Sequence, residues 1–156
     1  SSMTGHKDPG PDTALYFALF NEIGIIEQLS RAMLERQLPP GLIAPHFTVL
    51  NHLIRVQDGR TPQDLARSFQ VPKTTLTHTL AGLEAAGLVE MRPNPADGRS
   101  KQVWITAAGR ALRDQVIAGM APTFARLATG FGPDQTAAIL PALTALRRWL
   151  DADRAT

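Results

Sequence analysis

The sequence predicts a mainly α-helical chain with one small β-hairpin, and three observations carry that prediction. Apolar residues recur every three or four positions through most of the 156 residues. Two short helical stretches, one after Thr61 and one after Pro72, are separated by only a few residues. Two runs, "LVEMR" (88–92) and "QVWIT" (102–106), instead alternate with a period of two.

Each element has its own local reason. Residues 1–11 are polar and rich in Gly and Pro, and a flexible N-terminal arm is expected there. From 12 to 38, Leu15, Leu19, Ile23, Ile26, Met33 and Leu34 lie at helical spacing, with Asp12 expected as N-cap and Pro39-Pro40-Gly41 as the stop. A second helix is expected from near Pro45 to Val56, burying Phe47, Leu50, Leu53 and Ile54. Thr61 can cap a third, with Pro62 at its first position and Asp64 placed to reach back to the cap amide. Pro72 suits the first position of a fourth, whose buried stripe is Leu76, Leu80 and Leu83 and whose stop is Gly87.

In the hairpin, Val89 and Met91 share one face of the first strand, and Val103 and Ile105 share one face of the second. The intervening "PNPADGRSK" is longer than a two-residue turn requires, so an extended tip is expected. Thr106 can cap a long helix carrying Leu112, Val116, Ile117, Met120, Phe124 and Leu127, kinked at Pro122. Pro133 opens the last helix, whose apolar face is Ile139, Leu140, Leu143, Leu146, Trp149 and Leu150, with Pro141 expected to bend or delay it.

Composition narrows the function classes. No apolar run approaches the ~20 residues of a membrane span, and zero cysteines exclude disulfides and thiolate metal sites. A cytoplasmic address is the expectation. His6, His46, His52 and His78 are scattered, and His46 and His52 do not share a helix face, so no metal is expected. No Gly-rich phosphate loop, G-x-S-x-G, H-E-x-x-H or paired carboxylate motif occurs, and the expectation is no enzyme, no catalytic residue and no cofactor. The net charge of +2 is unevenly spread: residues 60–113 carry eight Lys/Arg against four acids, and the rest of the chain holds no excess of positive charge. A polyanion would be met in that middle third.

A helix-turn-helix followed by a β-hairpin is a winged helix, which places a winged helix-turn-helix lobe at residues 45–106. The flanking helices, 12–38 and 107–152, are apolar over more surface than one antiparallel pairing hides, and a two-fold dimer is the commonest solution. The start of the second helix of the pair presents Lys73, Thr74, Thr75, Thr77 and His78, with no acid among them to repel a polyanion. Arg99 and Lys101 project from the hairpin tip, where inserted arginine suits a narrow minor groove. Asp97, two residues before Arg99, can hold its guanidinium in one orientation. The plain alternative is that these side chains only solvate exposed faces.

The stretch "DLARSFQVPKTTLTHTLAGLEAAGLVEMRPNPADGRSKQVWITAAGRAL" resembles the core of the MarR family of winged helix-turn-helix transcriptional regulators. The matching motifs are "DLA", T-x-x-L-x-x-L-E-x-x-G-L-V and D-x-R-x-x-x-V-x-[LI]-T-x-x-G, the last supplied by Asp97, Arg99, Val103, Ile105, Thr106 and Gly109. The order of helices extends the likeness over residues 12–152, and 12–156 is expected to form one domain of this type. The resemblance implies a homodimer that binds double-stranded DNA at a palindromic operator, usually as a repressor. It also implies that Arg99 enters the minor groove while the helix after Pro72 reads the major groove. Family members often bind a small aromatic or phenolic ligand between the dimer helices and the DNA-binding lobe; the matching candidates are Tyr16, Phe17, Phe20, His46, Phe47 and Arg113. Aromatics at this spacing also suit a plain core. The chain departs from the pattern at Gln70, where the family often has glycine in the turn, and at His78 and Ala81 on the reading helix. The rival reading is a dimeric winged-helix module that binds protein and has no operator.

Overall fold

A computed structural model describes residues 10–154. The elements run α1 (Pro11–Glu35), α2 (Ala44–Arg55), α3 (Pro62–Phe69), α4 (Lys73–Ala85), β1 (Val89–Asn94), β2 (Asp97–Ile105), α5 (Ala107–Gly119), α6 (Ala121–Gly130) and α7 (Pro133–Asp153). The expected arm lies outside the described residues except at Gly10 and Pro11. The described chain divides at Val116 and Ile117 into two compact units.

The first unit holds the core. Leu50, Leu53, Leu65, Leu83, Val49 and Val103 are at most 1% exposed, and they join Leu76, Leu80, Val89 and Ile105 in one cluster drawn from α2, α3, α4 and both strands. Burying a Leu or Val fully is worth about 1.5–3 kcal/mol, so these short elements are held by one another. The hairpin is antiparallel, with Val89 opposite Ile105 and Met91 opposite Val103. An isolated bridge between Arg60 and Val103 adds the segment before α3 to its edge.

Two close approaches explain glycines. A Cβ on Gly109 would lie 2.2 Å from the Leu88 carbonyl oxygen, so only glycine lets α5 cross the start of the hairpin there. Thr106 Oγ1 accepts the Gly109 amide at 3.1 Å and donates to the Gly87 carbonyl at 2.7 Å, capping α5 and tying it to the end of α4. Gly59, at φ +71°, faces the Trp104 ring, and a Cβ would stand 2.4 Å from it.

Several boundaries differ from expectation. The cap of α1 is Gly10, with Asp12 in the first turn, and the helix ends at Glu35, short of the prolines. Pro72 is the N-cap of α4, outside its first turn. The kink expected at Pro122 is a break: α5 stops at Gly119 and Pro122 falls in the first turn of α6. Helix α7 instead runs unbroken through Pro141. In the second unit Met120 is buried, while α6 and α7 bury no residue.

Candidate nucleic-acid interface

Thr61 starts α3 as expected, its Oγ1 accepting the Asp64 amide at 3.1 Å; only this half of the capping box forms. At the other end Gln70 adopts φ +53°, ψ +47°, the left-handed conformation that reverses the chain between α3 and α4. This is where glycine is free of a Cβ penalty, and glutamine is not. Helix α4 then buries Leu76, Thr79, Leu80 and Leu83. Its opposite side leaves Lys73, Thr74, Thr75, Thr77 and His78 exposed, all five of the expected reading residues. The Thr77 hydroxyl donates to the Lys73 carbonyl at 2.8 Å, which keeps its lone pairs outward as acceptors.

The hairpin tip is built differently from the expected long loop. Asn94 pairs with Asp97, so Pro95-Ala96 is a two-residue turn, and the strands themselves reach the tip. Pro93 pairs with Lys101, so one step along β1 matches four along β2, and Gly98, Arg99 and Ser100 bulge from the ladder. Asp97 Oδ1 accepts the backbone amide of Arg99 at 3.0 Å. The expected grip on the guanidinium is therefore corrected: Asp97 orients the Arg99 backbone, and among the described residues no ion pair or hydrogen bond engages the Arg99 guanidinium.

One cleft of about 550 Å³ joins these parts. Thr61, Pro62, Gln63 and Asp64 line it from the start of α3, and Lys73 from the start of α4. Met91, Asn94, Asp97, Arg99, Ser100 and Lys101 line it from the wing. The groove, open to solvent, thus carries three cations and two carboxylates, each wall holding both signs, and Asp97 already accepts a hydrogen bond from the wing backbone. Such a cleft can grip phosphate oxygens with Lys73, Lys101 and Arg99 while Thr61 and Gln63 supply neutral donors. Sequence reasoning missed Gln63, Asn94 and Ser100 as members of it. For Ser100 the signal was its place between Arg99 and Lys101; Gln63 and Asn94 carried none.

Below the wing, Trp104 packs against Gly59 and against Arg92, whose guanidinium carbon stands 5.0 Å from the ring centroid. Asp58 Oδ1 accepts the amides of Ile105 and Gly59, each at 3.0 Å, and its other oxygen pairs with Arg110 at 3.6 Å. The wing root is thereby tied to the loop before α3. Deeper, Arg60 donates to His52 Nε2 at 3.0 Å and to Ser68 Oγ at 3.3 Å, and Phe69 meets the His52 ring edge-on. Burial, with the Arg60 and Arg55 charges, holds the His52 pKa below the ordinary 6.5.

The residues expected to bind a ligand are spread over α1, α2 and α5. Tyr16, Phe17 and Phe20 are exposed on α1. His46 is committed to structure: its Nδ1 accepts the Ile43 amide at 2.9 Å as the cap of α2, and its ring lies on Gly82 of α4. Burial lowers its pKa also. Arg113 donates to Asn51 Oδ1 at 3.2 Å and pairs with Asp114, while Phe47 is half-buried on α2. The cavities around α4 are walled by other residues: one of about 230 Å³ by Pro45, Val49, Phe69, Val71 and the Thr48, Thr75 and Thr79 side chains among others, one of about 500 Å³ by Pro39–Leu42, the end of α4 and Leu112.

The chain is similar to known proteins. A MarR family model matches residues 41–100, from the approach to α2 to the wing tip. The HTH-type transcriptional repressor YetL of Bacillus subtilis (strain 168) is 30% identical over 106 residues, 67% of this chain, and the match spans 62% of the repressor's length. The crystal structure of a MarR family transcription regulator superposes with a TM-score of 0.71 at 25% identity, over 99% of this chain and 98% of that one. A mutant MarR from E. coli complexed with operator DNA superposes with a TM-score of 0.69 at 25% identity, over 88% and 99%. The family model, the repressor and the solved structures agree, and the chain belongs to the MarR family.

Proposed function

We propose that the chain acts as a homodimeric repressor that binds a palindromic double-stranded DNA operator. The observation that carries this reading is the single cleft shared by Lys73 at the start of α4 with Arg99 and Lys101 on the wing. In this reading α4 lies in the major groove, with Lys73, Thr74, Thr75, Thr77 and His78 toward bases and phosphates, and Arg99 enters the adjoining minor groove. Its partner repeats the contact about one helical turn (~34–36 Å) away. The apolar residues left exposed on α1, α6 and α7, among them Phe17, Leu29, Phe124 and Trp149, support a dimer built from the terminal helices. Two of the relatives, a transcriptional repressor and a mutant MarR complexed with operator DNA, favour the same reading.

Release by a small aromatic or phenolic acid is the second part of the reading. Such a ligand lowers operator affinity only if it binds unequally to the two spacings of the reading helices. The box of Tyr16, Phe17, Phe20, His46, Phe47 and Arg113 would have to be completed by the dimer, because one chain does not close it.

The test is selection of duplexes from a random pool, followed by salt titration of the selected sequence. Arg99→Ala should weaken binding about tenfold or more and reduce the salt slope by about one phosphate equivalent, with self-association unchanged. A pool that yields no preferred sequence would favour the protein-interaction module, and unchanged binding by Arg99→Ala would remove the wing contact.

A further inference from the structure

The bulge that carries Arg99 is held by Asp97 and by two side chains that the family motif does not include, Asn94 and Ser100. Asn94 works from both ends of its amide. Its Oδ1 accepts the Ala96 amide at 3.0 Å, closing the two-residue turn, and its Nδ2 donates to Ser100 Oγ at 3.0 Å across the hairpin. Ser100 Oγ in turn lies 3.3 Å from the Asp97 carbonyl and donates to it. Together with the bond from the Arg99 amide to Asp97 Oδ1, these close a ring of hydrogen bonds around the three residues that have no strand partner.

An unpaired three-residue bulge ordinarily samples many conformations, and each lost conformation is an entropy cost at the moment of binding. Here both flanks of Arg99 are fastened: Asp97 holds its amide, and the Asn94–Ser100 bridge holds the residue after it. The guanidinium itself is left exposed, on a backbone whose direction is already set. Asn94 and Ser100 are both half-buried at the cleft, whereas the residues between Asn94 and Ser100 are exposed.

We infer that Asn94 and Ser100 are positioning residues that pre-orient the wing bulge so that Arg99 is presented to the DNA without further ordering. The inference rests on the DNA-binding reading of the same cleft. It assigns to Ser100 a role through Arg99, and none through its own contact with phosphate.

A double-mutant cycle on the full chain, using the duplex chosen by the random-pool selection, tests it. Ser100→Ala should weaken binding about three- to tenfold, the equivalent of one neutral hydrogen bond, and Ser100→Thr, which keeps the hydroxyl, should stay within about twofold of the unmodified protein. In an Arg99→Ala background, Ser100→Ala should add less than about twofold. In the free protein, Asn94→Ala should speed hydrogen exchange at the Ala96 amide, and Ser100→Ala should speed it at the Arg99 amide. Unchanged binding by Ser100→Ala overturns the inference, as does an equal loss with and without Arg99, which would mark a direct phosphate contact. If Arg99→Ala itself binds like the unmodified chain, the wing reading fails instead, and the inference fails with it.

Discussion

The winged lobe and the terminal helices read alike in sequence and differ sharply in burial. Leu50, Leu53 and Leu83 of the lobe are at most 1% exposed, while Leu15, Phe17 and Leu29 on α1 are 66–72% exposed and Trp149 on α7 is 63% exposed. Both regions carry apolar residues at a helical period. In the lobe, five short elements from α2, α3, α4 and the hairpin turn their stripes toward one cluster. Helices α1, α6 and α7 bury no residue of their own. Periodicity therefore declares which face is apolar and is silent on what covers it. The lobe derives its stability within one chain, and the terminal helices retain surface suited to a second.

The largest effect that separates the regions comes from truncating one leucine in each. Leu53→Ala should cost about 2–5 kcal/mol in denaturant unfolding, at every protein concentration. Leu29→Ala should leave the lobe's unfolding within about 0.5 kcal/mol and instead weaken self-association, seen as a shift of the sedimentation profile toward monomer. Equal destabilisation by both, independent of concentration, would break the contrast.

Next comes pH. His46 and His52 both titrate below the ordinary 6.5 because burial penalises the charged ring, and each uses a ring nitrogen as acceptor, for the Ile43 amide and for Arg60. A native pKa below the unfolded one means that the unfolded chain binds more protons between the two values. The stability these rings contribute is present above pH 6.5 and is lost as pH falls through their native pKa values. Urea midpoints measured from pH 8 down to pH 5 should drop over that range, and substituting both rings with Gln should flatten the drop. A flat profile in the unmodified chain would sink this account of α2.

The smallest expected effect is a gain. Gln70 sits at φ +53°, a conformation that costs a non-glycine residue about 1–2 kcal/mol, whereas glycine pays about 0.5–1 kcal/mol in lost freedom. Gln70→Gly should therefore stabilise the lobe by at most about 1.5 kcal/mol, read as a small rise in Tm.

What was legible in the sequence was whatever depends on local spacing. The α3 start at Thr61, the stripe of Leu76, Leu80 and Leu83, and the paired faces of Val89, Met91, Val103 and Ile105 all follow from period and capping chemistry, and each stands in the structure. What escaped was non-local or geometric. Nine residues between two alternating runs look like a loop, and only the register reveals a two-residue turn followed by a bulge. Asp97 was placed beside Arg99 correctly, yet spacing cannot distinguish an amide from a guanidinium as its partner. That His46 caps α2 depends on the backbone direction at Ile43, which spacing does not show. Gly109 was a motif position without a reason until the Leu88 carbonyl stood in its way.

Trp104, packed against Gly59 and the Arg92 guanidinium, makes the wing root optically addressable. It is one of two tryptophans in the chain, the other being Trp149 on α7. With Trp149 replaced by Phe, a single indole would report from the strand that leads to Arg99, its emission set by the nearby Arg92 cation and the close Gly59 backbone. Any displacement of the wing relative to the loop before α3 would change that environment. The molecule thus carries, at the base of its reaching arm, a built-in gauge of where the arm is.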